Sequence, residues 1–169
     1  MGATVWTVAD SPLGALLLVG EVTATGTALT SLSMPGQRTA PAVRHDWRHD
    51  PRALAGVTRQ LTAYFAGERT LFDVEFTATG TAFQRRVWSV LDDIPYGSTT
   101  TYGELAERLG VARQDIRALG AAIGANPLLL VRPCHRVIGA DGTMRGYAGG
   151  VERKVRLLTL EGALQPTLL

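Results

Sequence analysis

Cysteine occurs once in this chain, at position 134, and a single thiol excludes an internal disulfide framework. Three histidines and that one thiol are poorly spaced as ligands, so no structural zinc site and no other metal is expected. No apolar run reaches membrane-spanning length, and no secretory apolar segment opens the sequence. "MGATVW" departs from the myristoylation pattern at Trp6, where Ser or Thr is needed. The expectation is a reducing, cytoplasmic setting without membrane attachment. Internal repeats and low-complexity tracts are lacking too, so a solenoid is not expected.

What is present suits one good core or two small domains: 169 residues, 46% of them hydrophobic. The net charge of +2 is unevenly spread. Residues 1–80 hold 6 Arg against 7 acidic residues, a net of −1; residues 81–169 hold 10 Arg and 1 Lys against 8, a net of +3. A mildly basic second half permits a polyanion partner without requiring one.

The first third reads as β-rich. Thr4–Val8 and Ala15–Val19 are apolar runs joined by Ser11-Pro12-Leu13-Gly14, a hairpin signal, and 26–34 supplies a third strand. The Pro-rich stretch 35–51 reads as a loop. Leu54, Val57, Leu61 and Phe65 lie at helical spacing before Gly67, and 71–76 alternates as a short strand. Beyond that the pattern is helical. Phe83, Val87, Val90, Leu91 and Ile94 share one face up to Pro95. Thr101 and Glu104 form a capping box, Gly110 closes that helix, and Asp115 is the N-cap of the next. Two short helices about a four-residue turn outline a helix-turn-helix.

The second of these helices is nearly bare: Ala118, Gly120, Ala121, Ala122, Gly124 and Ala125. Two readings stand. Either it packs closely on a neighbour, or it is slim enough to enter a narrow groove, with Arg117 its one long basic side chain. Leu128–Val131 then reads as a buried strand running into Arg132, Pro133, Cys134, His135 and Arg136. A thiol is a weak nucleophile until ionised, and neighbouring histidine and arginine side chains favour the thiolate. Adjacent residues on a strand face opposite ways, so cooperation of Cys134 with His135 requires a turn, which Pro133 permits. On spacing alone an activated nucleophile and a buried structural cysteine both remain open.

"NPLLLVRPCHRVIGADG" (126–142) resembles the active-site signature of the O6-alkylguanine-DNA alkyltransferases, the Asn-Pro … Pro-Cys-His-Arg-Val pattern. "SPLGALLLV", "LTAYFAGE", "FQRRVWSVLDDIPYGSTTTYGELAERLG", "IRALGAAIGANP" and "GYAGGVERKVRLLTLEG" match in the same order and span most of residues 11–162. The resemblance implies an α/β N-terminal domain with a structural role (1–78) and a mainly α-helical C-terminal domain with a helix-turn-helix (79–169), which binds DNA and transfers the alkyl group. It implies that Cys134 takes an alkyl group from guanine O6, that His135 draws the thiol proton through a water, and that Glu161 orients His135. Asn126 holds the turn presenting the cysteine, and Tyr102 crowds the 3′ phosphate and assists protonation of the departing guanine. Arg117 fills the place vacated by the flipped base, while Ala118, Gly120, Ala121 and Arg136 meet the DNA. Tyr147, Ala148, Gly149, the Val137 carbonyl and Lys154, the only lysine, form or flank the base pocket. Gly146, Gly149 and Gly150 suit a loop that approaches a ligand closely.

The implied activity is direct reversal of alkyl damage, once per molecule, because a thioether at Cys134 has no leaving group. No cofactor is required. The partner is double-stranded DNA carrying O6-alkylguanine, with O4-alkylthymine left open, and the protein is a monomer unless it assembles on DNA. A non-catalytic lesion sensor is the alternative, but such relatives lack the cysteine. A helix-turn-helix regulator fits poorly with a bare second helix, since major-groove reading wants long polar side chains. A cysteine hydrolase is separable by its substrates. In this family the residue before Pro133 is typically Val or Ile; here it is Arg132. A charge there is costly unless it is paired.

Overall fold

Along Thr4–Ala9 (β1) every second residue, Val5, Thr7 and Ala9, is buried, the period-two pattern of a strand with one covered face. The computed structural model describes residues 3–144 and 146–164. β1 turns at Ser11–Gly14, where the Gly14 N–H donates to the Ser11 carbonyl and Gly14 takes φ 107°, into the antiparallel strand Leu16–Thr23 (β2). Gly26–Ser33 (β3) follows, with a bulge between Val19 and Gly20. A Cβ on Gly20 would lie 2.9 Å from Thr27 and 3.0 Å from the Ala28 carbonyl, so only glycine fits there. The sheet order is β3-β2-β1-β4, where β4 is the two-residue strand Arg48–His49, parallel to β1. It sits inside the stretch read as loop. Trp6 and His49 stack across that pairing with ring centres 4.5 Å apart.

Helix α1 (Ala55–Phe65) buries Val57, Leu61 and Tyr64, and Leu54 just before it is buried too, so the expected face departs only at its end, where Tyr64 is buried and Phe65 half-buried. The strand expected at 71–76 is absent. Only a single bridge forms, Leu29 with Phe76, and Leu71 is 75% exposed, so its alternating side chains have no ladder to join.

By its contacts the chain divides into two units, residues 1–79 with 127–131, and residues 80–126 with 132–169. Thus Pro127–Val131, expected in the C-terminal domain, belongs to the first unit. The physical reason is backbone pairing: the Leu32 N–H donates to the Pro127 carbonyl and the Leu129 N–H to the Leu32 carbonyl. Nor does 128–131 form a strand. After one bridge at Leu128 the chain turns, and Leu130 adopts φ 71°. Left-handed backbone at leucine costs about 1–2 kcal/mol. Leu130 is 1% exposed, and burying a leucine returns about 1.5–3 kcal/mol, so burial outweighs the strain.

The second unit begins with α2 (Ala82–Leu91). Thr81 and Gln84 form a full capping box there, and Val87, Trp88 and Leu91 are buried. The helix stops at Leu91, short of the expected Pro95, although Ile94 beyond it is still buried. α3 (Tyr102–Leu109) is capped by the Thr101 hydroxyl and closed by Gly110 at φ 68°. Glu104 does not complete the box; its carboxylate accepts from Thr100 instead. A 3-10 turn at Arg113–Asp115 leads into α4 (Ile116–Gly124), whose N-cap Asp115 makes no side-chain capping bond. α2, α3 and α4 pack on one another through Leu105, Leu119, Ala122 and Ile123 among others. Thr100–Thr101 (β5) pairs in parallel with Val137–Ile138 (β6), which fastens the start of α3 to the segment just after the cysteine. α5 (Val151–Leu160) ends the described helices. No helix among the described residues is long and apolar enough to cross a membrane.

Candidate active site and nucleic-acid interface

Pro133 (φ −81°, ψ 58°) breaks the extended backbone, and Cys134–Arg136 forms a 3-10 turn closed by the Arg136 N–H on the Pro133 carbonyl. That turn removes the strict alternation a strand would impose on Cys134 and His135. Cys134 and His135 are both buried, the histidine completely. Asn126, two residues past the end of α4, donates its Nδ2 to the Cys134 sulfur at 3.2 Å and to the Arg132 carbonyl at 3.2 Å. Burial nevertheless pushes the thiol above its ordinary value of 9.0; the Asn126 donor, Lys154 and Arg132 pull the other way. At pH 7 no more than about one thiol in a hundred is then ionised, so attack by this sulfur needs a base.

The candidate is the next residue, His135. Glu161, just beyond α5, receives Nε and Nη2 of Arg136 at 2.8 and 3.0 Å in a two-pronged ion pair and is therefore an acceptor only. The 2.8 Å contact between Glu161 and His135 Nε2 must then be an N–H of the ring donating to the carboxylate. Burial, the largest influence, pulls the imidazole below its ordinary 6.5 against the pull of Glu161, so the ring is neutral and its lone pair sits on Nδ1. That Nδ1 is buried and has no hydrogen-bond partner among the described residues.

Arg136, expected at the DNA, has a different place. It is buried, spends two donors on Glu161 and a third on the Ile94 carbonyl at 2.6 Å, and lies over the Tyr96 ring. A guanidinium so committed holds Glu161 in position and is not available to phosphate.

The thiol faces a cavity of about 260 Å³ lined by Tyr102, Gly120, Gly124, Cys134, Tyr147 and Ala148. α4 thus lines it with Gly120 and Gly124 beside Ile123, α3 with its first residue, and the 146–150 loop with Gly146, Tyr147 and Ala148; α5 bonds to that loop. Lys154 Nζ donates to the Gly146 carbonyl at 3.4 Å, Arg153 to the Gly149 carbonyl at 3.0 Å, and Gly150 caps the helix at φ 96°. Lys154 is 1% exposed, and burial lowers its pKa to about 8. Gly149 is buried, and Val137 is buried within β6. On α4, Arg117, Ala118 and Ala121 are exposed on the flank away from the buried Leu119, Ala122 and Ile123. Among the described residues no three His, Cys, Asp or Glu side chains converge as metal ligands.

Sequence reasoning missed three supports of this site. Arg153 braces the loop, Trp88 donates its indole N–H to the Ala122 carbonyl of α4 at 2.9 Å, and Asp92 pairs with Arg132 at 3.2 Å. Of these only Trp88 left a signal, its helical spacing from Leu91.

The 6-O-methylguanine DNA methyltransferase ribonuclease-like domain matches residues 4–78, and the DNA binding domain of the same enzyme matches 82–163. The chain is 51% identical over 160 residues to the methylated-DNA–protein-cysteine methyltransferase of Mycolicibacterium paratuberculosis, covering 95% of this chain and 93% of that protein. Its fold is similar to the crystal structure of Mycobacterium tuberculosis OGT in complex with DNA, with a TM-score of 0.83 and 47% identity over 94% of this chain and 93% of that one. The crystal structure of the Mycobacterium tuberculosis O6-methylguanine methyltransferase gives a TM-score of 0.81 at 47% identity, over 98% of this chain and 96% of that one.

Proposed function

The chain belongs to the 6-O-methylguanine DNA methyltransferase family, and from that premise we infer that it repairs DNA by moving an alkyl group from guanine O6 onto its own Cys134. The observation that carries the residue assignments is the neutral His135 held through Nε2 by Glu161, which leaves its buried Nδ1 lone pair unpartnered among the described residues, in the same 3-10 turn as the lone thiol that lines the cavity.

The flipped base enters the cavity between Tyr102 and the 146–150 loop, and Arg117 on the exposed flank of α4 takes its place in the stack. The Cys134 proton passes through a water to His135 Nδ1, and Glu161, held in place by Arg136, stabilises the resulting imidazolium. Asn126 Nδ2 stabilises the sulfur as it gains charge. Sulfur bonds to the alkyl carbon as the carbon–O6 bond breaks. The electron pair leaves on the guanine, which is protonated with help from Tyr102. Nothing regenerates the thioether, so each molecule acts once. The small side chains of Ala118, Gly120 and Ala121 let α4 approach the minor groove. A reducing cytoplasm, which preserves the thiol, completes this reading.

The test is intact-protein mass after incubation with duplex DNA containing O6-methylguanine. Wild type is expected to gain one methyl, mapped to Cys134, and Cys134→Ser none. Tight lesion binding without a mass gain would overturn transfer in favour of a sensor.

A further inference from the structure

Arg132 is charged, follows five residues of the other unit and immediately precedes the reactive turn, yet it is only 5% exposed. Its surroundings account for all of it. Nε donates to Asp92 Oδ1 at 3.2 Å, the guanidinium lies 5.1 Å from the centre of the Trp88 ring, and Nη1 reaches Asn126 Oδ1 at 3.5 Å. Trp88 in turn holds the Ala122 carbonyl of α4. Asn126 is the residue whose amide nitrogen meets the Cys134 sulfur.

We propose that Arg132 is a positioning residue for alkyl transfer: anchored by Asp92 and Trp88, its guanidinium fixes the Asn126 side chain with the amide nitrogen toward the Cys134 sulfur. The inference rests on the reaction assigned above. Stability alone does not explain the charge, because an ion pair that requires burying its cation is generally no more stabilising than an apolar side chain of like volume. An aliphatic residue would fill the space without desolvating a cation. What the guanidinium adds is direction. It can only donate, so it requires the oxygen of the Asn126 amide on its side; this reinforces the orientation that the Nδ2 bond to the Arg132 carbonyl also favours, with the nitrogen facing sulfur. The reversed amide would set a lone pair against a developing thiolate. Asp92 keeps the guanidinium in register, and burial holds that carboxyl above its ordinary range against the pull of Arg132. Arg132 also favours the thiolate by its charge.

The experiment is single-turnover alkyl transfer by the full chain at saturating O6-methylguanine duplex, with affinity for the duplex measured separately. Arg132→Leu is expected to keep its affinity and lose about tenfold in transfer rate, as small misplacements at a reacting centre do. The rising limb of its pH–rate profile is expected to move to higher pH. Arg132→Lys, which restores a donor without the planar fork, is expected to recover part of the rate. Should Arg132→Leu fail to fold, Asp92→Asn, altered at a more exposed side chain, is read for the same slowing. Folded variants that transfer within about twofold of wild type, with an unmoved profile, overturn the proposal. A wild type that leaves Cys134 unalkylated overturns the assigned reaction, and this inference falls with it.

Discussion

Glu161 accepts from His135 and, with two oxygens, from Arg136, while Arg136 also holds the Ile94 carbonyl. The carboxylate therefore does two jobs: it sets the tautomer of the base and it neutralises a buried guanidinium. These separate energetically. Arg136→Met leaves Glu161 charged in the interior with its main partner gone, and removing one member of such a pair costs about 3–5 kcal/mol. The double variant Arg136→Met with Glu161→Leu removes both charges and is expected to regain most of that loss in urea unfolding. Its alkyl transfer is expected to stay low, because His135 has lost the acceptor that directs its N–H. Recovery of transfer along with stability would remove Glu161 from the orienting role.

Among the elements, α4 is shaped by what it omits. A Cβ on Gly120 or Gly124 would meet nothing within 4 Å, so neither glycine is required by packing. Each costs the helix about 0.5–1 kcal/mol relative to alanine. Both line the cavity that holds Cys134, and that is where the missing methyl groups matter. Gly124→Ala is accordingly expected to raise the melting temperature and to slow transfer of bulky alkyl groups more than of methyl, in melts and single-turnover assays on matched duplexes. The elements also mark how far the sequence could be read. Helix-turn-helix and hairpin were legible because period and turn signals are local. The caps were legible only in part, since Thr101 and Gly110 serve as read while Glu104 and Asp115 make no side-chain capping bond, and the motif around Cys134 was legible through resemblance. Spacing selects Phe65 where Tyr64 is the buried aromatic, since two adjacent aromatics differ by only 100° around a helix. The strands expected at 71–76 and 128–131 reduced to single bridges because alternation gives no information on partners. Arg132 and Asp92 are 40 residues apart, and nothing local announces their pairing. Arg136 looked like a DNA contact for the same reason: its partner lies 25 residues downstream.

For the molecule as a whole, two buried bases tie folding stability to pH. The folded His135 sits below 6.5, so just under that pH the unfolded chain binds a proton the folded chain refuses, and stability falls with acidification. Lys154 repeats this higher up. Between about 8 and 10.5 the unfolded chain holds a proton that the folded chain has released, so stability rises with pH across that window. Cys134, pushed above 9.0, acts in the opposite sense, so the comparison must be with a variant. The melting temperature of wild type is expected to gain on that of Lys154→Met from pH 8 to 10.5; parallel curves would place the lysine in solvent. Lys154 has one more effect. It is the chain's only lysine and its amine is enclosed behind the 146–150 loop, so the folded surface displays no lysine ammonium. Amine-directed chemistry, whether an acylating reagent or an enzyme that tags lysine side chains, finds no lysine target on the folded protein and gains one only when the fold opens.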